Sequence, residues 1–194
     1  MNNLLGATAE EIALFESFIQ RHQVFLKTGF SEITVSENSK LGYEESIVTT
    51  LLSTQKKASI ERSTYAGFRY ALNVLLKSLL SDTAVTNHKH SPGFKTRGVI
   101  EGFYGTPWSH EQRLRGLAHF SDFGFNRYLL APKDDPWHRY DWRSPLSEDF
   151  LNRVSDLIAQ GRKNAVTVAV AISPGLTVEY SEANDVQAIM VRFK

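Results

Sequence analysis

Three short segments of the 194-residue chain concentrate the residue types that suit chemistry. The first, EGFYGTPW (101–108), sets glycines beside Phe103, Tyr104 and Trp108. Glycine lets backbone approach a ligand closely. Aromatic faces beside backbone donors suit a sugar, which has apolar faces and hydroxyl edges. The same residues also describe a tight turn over core aromatics. The second segment, APKDDPWHR (131–139), brings Lys133, Asp134 and Asp135 together. Lysine offers three donors to hydroxyl or carboxylate groups. The adjacent aspartates do not read as an acid/base pair, because neighbours in extended backbone point opposite ways. A glycosidase pair faces itself across several ångströms. The bland alternative is that Asp134 or Asp135 caps a turn before Pro136, or pairs with Lys133 or Arg139. The third segment, ISPG (172–175), is by itself only a turn. His138 and Trp142 lack the partners needed for a nucleophilic or metal role. His88 and His90 lack further ligands at metal-binding spacing and read as solvated residues.

These segments depend on the elements that carry them. Thr8 and Glu11 have capping-box spacing, and Ile12, Phe15 and Ile19 follow on one face of an expected helix. SEITVS, GYEESIVTTL and KKASIER are short, partly alternating strands, with SENSKLG as a turn. A helix is expected over 65–80, with Phe68, Leu72, Leu75 and Leu79 as its apolar stripe. Residues 81–95 have no periodicity and contain Pro92 and Gly93, the marks of a linker. After it the pattern becomes strand–helix, three times over. RGVIEGF (97–103), NRYLLA (126–131) and AVTVAVAI (165–172) are the strands. The last is continuous and β-branched, as expected of a strand buried on both sides. The helices run from the Ser109/Gln112 capping box to near Gly124, from Ser147 to Gly161, and from near Ser181 into the end of the chain. The middle one places Leu151, Val154 and Ile158 on one face. The fold class is therefore α/β with a parallel sheet. In such a sheet ligands bind at the carboxyl ends of the strands, where all three segments lie.

Hydrophobic residues make up 42% and charged residues 22%, with a net charge of +1. Those proportions fit a globular chain and give no sign of nucleic acid as a partner. No apolar stretch approaches a membrane span, and no signal peptide starts the sequence. With no cysteine, disulfides are excluded and a cytoplasmic location is expected.

RGVIEGFYGTPWSHEQR, YLLAPKDDPWHRYDWR and AISPGL, in this order and spacing, resemble glycoside hydrolase family 84, the O-GlcNAc hydrolases and related β-N-acetylglucosaminidases. The match covers about 97–194. GYEESIVTTL, KKASIER and STYAGFRYALNVLLKSLL resemble the small α/β domain that precedes the barrel in that family. The resemblance implies a small α/β domain (1–80), a linker (81–95), and the first three βα units of a (β/α)8 TIM barrel (96–194). It implies retaining, substrate-assisted hydrolysis of terminal β-linked N-acetylglucosamine. The 2-acetamido carbonyl attacks its own anomeric carbon to give an oxazoline, one aspartate orients the acetamido N–H, and a neighbouring aspartate is acid and then base. That pair follows the fourth barrel strand of the family, so the catalytic residues are expected beyond Lys194 and none within this chain. Carried over by motif position, Gly102 meets the sugar through its backbone, Lys133 bonds sugar hydroxyls, and Tyr104 shapes the pocket. No cofactor and no metal is implied, and the partner is an N-acetylglucosamine-containing glycan or glycoprotein. By itself the chain is expected not to hydrolyse aryl β-N-acetylglucosaminides, and to associate through the uncovered edge of its last strand. The rivals are a non-catalytic sugar-binding or interaction module derived from that family, and another barrel enzyme using Lys133 on a phosphate or carbonyl.

Overall fold

A computed structural model of the chain describes residues 3–23, 30–51 and 56–192. They form two compact units. One takes Met1–Lys95, Ser121–Gly124 and Lys163–Ala165, and the other Thr96–Phe120, Phe125–Arg162 and Val166–Lys194.

The first unit is a mixed five-stranded sheet in the order β1-β2-β4-β3-β5. Its strands are β1 (Asn3–Leu5), β2 (Glu32–Glu37), β3 (Ser46–Leu51), β4 (Lys57–Arg62) and β5 (His88–His90), and its helices are α1 (Ala9–His22) and α2 (Tyr65–Ser81). Alternation along the strands turns Ile33, Val35, Val48, Ala58 and Ile60 onto one face, where Phe68, Leu72 and Leu75 of α2 complete a core. The expected capping box at Thr8 and Glu11 is present. Of the expected face of α1, Phe15 is buried and Ile19 packs against the core, but Ile12 is turned outward, and Leu14 and Phe18 complete the buried side. Arg62 draws Glu11 inward, donating from Nε (2.6 Å) and Nη2 (3.0 Å). Residues 11, 14, 15 and 18 therefore share the buried side. Residues 81–95 also depart from the expectation of a plain linker, since His88–His90 pairs antiparallel with β3. Strand β1 is too short to show a period.

The second unit has three parallel strands, β6 (Gly98–Glu101), β7 (Arg127–Leu130) and β8 (Thr167–Val170), in that order. They alternate with α3 (His110–Asp122), the short α4 (Pro136–Arg139), α5 (Glu148–Lys163) and α6 (Ala183–Arg192). This is the α/β architecture expected from the strand–helix pattern. The expected continuation of the last helix to the chain end falls on 193–194, outside the described residues. Leu117 of α3 and Leu157 of α5 pack on Tyr128, Leu130 and Val166, covering one sheet face. On the other face Ile100, Leu129 and Ala169 lie in register across the strands, and Ile100 is 64% exposed.

Two expectations are corrected here. Strand β8 is not buried on both sides: Thr167 is exposed on the face that no described helix covers, and Val170 is exposed although it shares the helix-covered face with Val168. The inward seam of α5 is Phe150, Val154, Leu157 and Gly161, at i, i+4, i+7 and i+11, whereas Leu151 and Ile158 are exposed. Gly161 sits within the helix rather than ending it. A Cβ there would lie 2.4 Å from the Val166 carbonyl oxygen, so glycine permits the close approach of α5 to the entry of β8.

Candidate functional site

The carboxyl ends of the three strands carry EGFYGTPW, APKDDPWHR and ISPG on one rim. Strand adjacency brings them there, and hydrogen bonds join them. The Lys133 amide donates to the Phe103 carbonyl (3.2 Å), and the Gly105 amide donates to Asp134 Oδ2 (2.7 Å). The second segment is joined to the third through His138. Its Nδ1 donates to the Ala171 carbonyl (3.0 Å), and its carbonyl accepts from the Ser173 amide (2.8 Å). Gly105 takes a φ of +95°, a turn that glycine adopts without strain.

The aspartates do what the structural alternative expected. Asp135 caps α4, accepting from the His138 amide (3.2 Å), with Pro136 at the first helical position. Asp134 is occupied by Gly105. Neither pairs with Lys133 or Arg139 as the alternative also allowed. Lys133 is half-buried, and among the described residues its ammonium has no hydrogen-bond or ion-pair partner. Gly102, half-buried, follows β6 directly; a Cβ on it would meet Ile100 Cγ2 at 3.1 Å. Tyr104 is exposed, with the Arg139 guanidinium 5.9 Å from its ring centroid. Trp142 is wholly buried; its Nε1 donates to Thr177 Oγ1 (3.0 Å) and Arg143 stacks on its ring.

Glu101 was not singled out from the sequence, yet it is the most connected side chain of the rim. It is wholly buried. Arg113 of α3 donates to it from Nε (2.9 Å) and Nη2 (2.8 Å), the Trp108 amide donates at 3.1 Å, and the Tyr128 hydroxyl donates as well. Burial first, then the neighbouring carboxylate, push the Tyr128 phenol far above its ordinary value, so it stays a proton donor. Burial works against the charge of Arg113, but its bonds to Glu101 prevail and its pKa is raised. A chain of tilted rings, Phe103–Trp108–Phe120–Tyr128, runs beside this network. The signal available in the sequence was an acid at the end of an otherwise apolar strand.

No three His, Cys, Asp or Glu among the described residues gather as a metal site, and no described helix is long and apolar enough to cross a membrane. The family model described as beta-N-acetylglucosaminidase matches residues 97–194, half of the chain. The chain belongs to the beta-N-acetylglucosaminidase family. The membership expected from the three motifs is thereby borne out. The protein O-GlcNAcases of Rattus norvegicus and Mus musculus are each 39% identical to this family member over 92 residues, 47% of this chain and 10% of theirs. The solved structure of CpGH84B matches 98% of this chain with a TM-score of 0.73 and 26% identity, over 37% of its own length. A mutant of the Thermobaculum terrenum O-GlcNAc hydrolase matches 52% of this chain with a TM-score of 0.50 and 37% identity, over 22% of its length. The chain thus spans about a tenth of the curated relatives it matches.

Proposed function

We propose that this chain supplies part of the sugar subsite of a retaining β-N-acetylglucosaminidase. Its substrate is terminal β-linked N-acetylglucosamine on a glycan or glycoprotein, in line with the O-GlcNAc named for its relatives. The observation that carries the reading is the joining of the first two rim segments. Phe103 and Lys133 share a backbone hydrogen bond, which holds the strand end bearing Gly102 beside the one bearing Lys133. In this reading the Gly102 backbone meets the sugar, and the Lys133 ammonium bonds ring hydroxyls. The acetamido group of the substrate acts as nucleophile through an oxazoline. The paired aspartates of that mechanism are not Asp134 and Asp135, whose carboxylates are committed to Gly105 and to the cap of α4.

Lys133→Met keeps most of the stem and removes the charge. In a complete barrel enzyme containing residues 97–194, its expected effect is a loss of about 1.5–3 kcal/mol in affinity for an N-acetylglucosamine-mimicking inhibitor, as for a hydrogen bond from a charged donor. The melting temperature is expected to stay. Calorimetric titration and a thermal melt check both, and unchanged affinity with a lowered melt would make Lys133 structural.

A further inference from the structure

We infer that Glu101 is a positioning residue, the group that sets Gly102 and Lys133 relative to each other; its meaning for sugar binding rests on the function proposed above. The loop 102–108 leaves β6 at Glu101 and enters the turn before α3 at Trp108. One carboxylate holds both ends. Gly102 is its covalent neighbour, and the Trp108 amide donates to its Oε1. Arg113 fixes the carboxylate from α3, and Tyr128 fixes it from β7. Four donors on one buried carboxylate leave it little freedom to rotate. The loop so clamped then makes the two contacts that reach the Lys133 segment, Phe103 carbonyl to Lys133 amide and Gly105 amide to Asp134. Displacing Glu101 therefore moves the backbone of Gly102 and, through Phe103, that of Lys133. Ligand-contacting groups held by a supporting layer of hydrogen bonds lose function when that layer loosens, even where the fold survives.

The experiment compares the 194-residue chain with Glu101→Gln, Tyr128→Phe and Leu157→Ala. The last, in the core of the same unit, controls for lost stability alone. The readouts are amide resonances and exchange rates of Gly102, Phe103, Gly105, Trp108 and Lys133, with and without N-acetylglucosamine. Glu101→Gln keeps the shape but sets an N–H against Arg113. It is expected to speed exchange at Trp108 about tenfold or more, as for a lost bond to a charged group. It is also expected to move the Gly105 and Lys133 resonances and to weaken their response to the sugar. Tyr128→Phe leaves the Arg113 pair in place and is expected to shift the same resonances less, which keeps the test decisive if Glu101→Gln does not fold. Leu157→Ala is expected to lower the melting temperature without moving them. The inference is overturned if either rim variant lowers the melt and leaves Gly105 and Lys133 where they were. If the unaltered chain shows no response to N-acetylglucosamine, that result counts against the proposed function, while the loop shifts still decide Glu101.

Discussion

Each unit buries a glutamate–arginine pair, Glu11 with Arg62 in the first and Glu101 with Arg113 in the second. Their chemistry is alike and their settings differ. Glu11 also caps α1 through the Thr8 amide, so its pair joins a helix start to the last residue of β4. Glu101 ends a strand and carries, besides Arg113, the loop that forms the rim. The sheets differ as well. Each sheet is covered on one face alone, but the first turns the polar Thr34 and Ser59 out on its open face, whereas the second turns out Ile100. A buried ion pair between a helix start and a strand end holds the fold, and one beside an irregular loop holds a geometry that a ligand can use.

The largest effect that would test this contrast comes from Arg62→Met. It leaves Glu11 buried without its charge partner, and the expected cost is about 3–5 kcal/mol of the stability of the first unit. Hydrogen exchange at β2 and β4 measures it, with the rim amides of Gly105 and Lys133 expected to stay in place. Movement of those amides would erase the distinction between the two pairs.

A smaller effect, also confined to the first unit, is expected from pH. His90 stacks on Tyr70 with ring centroids 5.0 Å apart. Burial, then His88, Lys77 and Arg69, lower its pKa below the ordinary value, with Glu44 opposing. The folded state thus disfavours the proton that the unfolded chain accepts. Stability is full above the unfolded pKa of about 6.5 and falls as pH drops through it toward the lower folded value. Exchange in β3 and β5 followed from about pH 8 to about pH 5 checks the sign. The three tryptophans lie at 108, 137 and 142, so their emission follows the second unit separately. His90→Phe is expected to flatten the slope, and an unchanged slope would assign the titration elsewhere.

The smallest effect is expected at Ile100. On the bare face Ile100→Ser should change stability by no more than about 0.5 kcal/mol, while reducing the binding of an apolar dye and the self-association that an uncovered apolar face invites. Equilibrium denaturation and sedimentation check it. A loss comparable with that of a core residue would show that this face is covered in solution.

What the sequence determined by itself was local. The capping boxes Thr8/Glu11 and Ser109/Gln112 were legible because both partners lie within one turn, and both form. The three βα units and the membership of the family were legible because they rest on pattern and on long motifs in order. The cap by Asp135 was foreseen as one of several roles, since a carboxylate before proline has few local partners. Other features depended on what packs against them, and so only the tertiary structure decided them. The buried seam of α5 is displaced from Leu151 and Ile158 to Phe150, Leu157 and Gly161, because sequence period shows that a helix has faces but not which of them meets the sheet. The aperiodic stretch around His88 becomes a strand because β3 offers it an edge. Glu101 is the clearest case. Its four donors come from positions 108, 113 and 128, and only the folding of β6, α3 and β7 onto one another brings them to a single carboxylate.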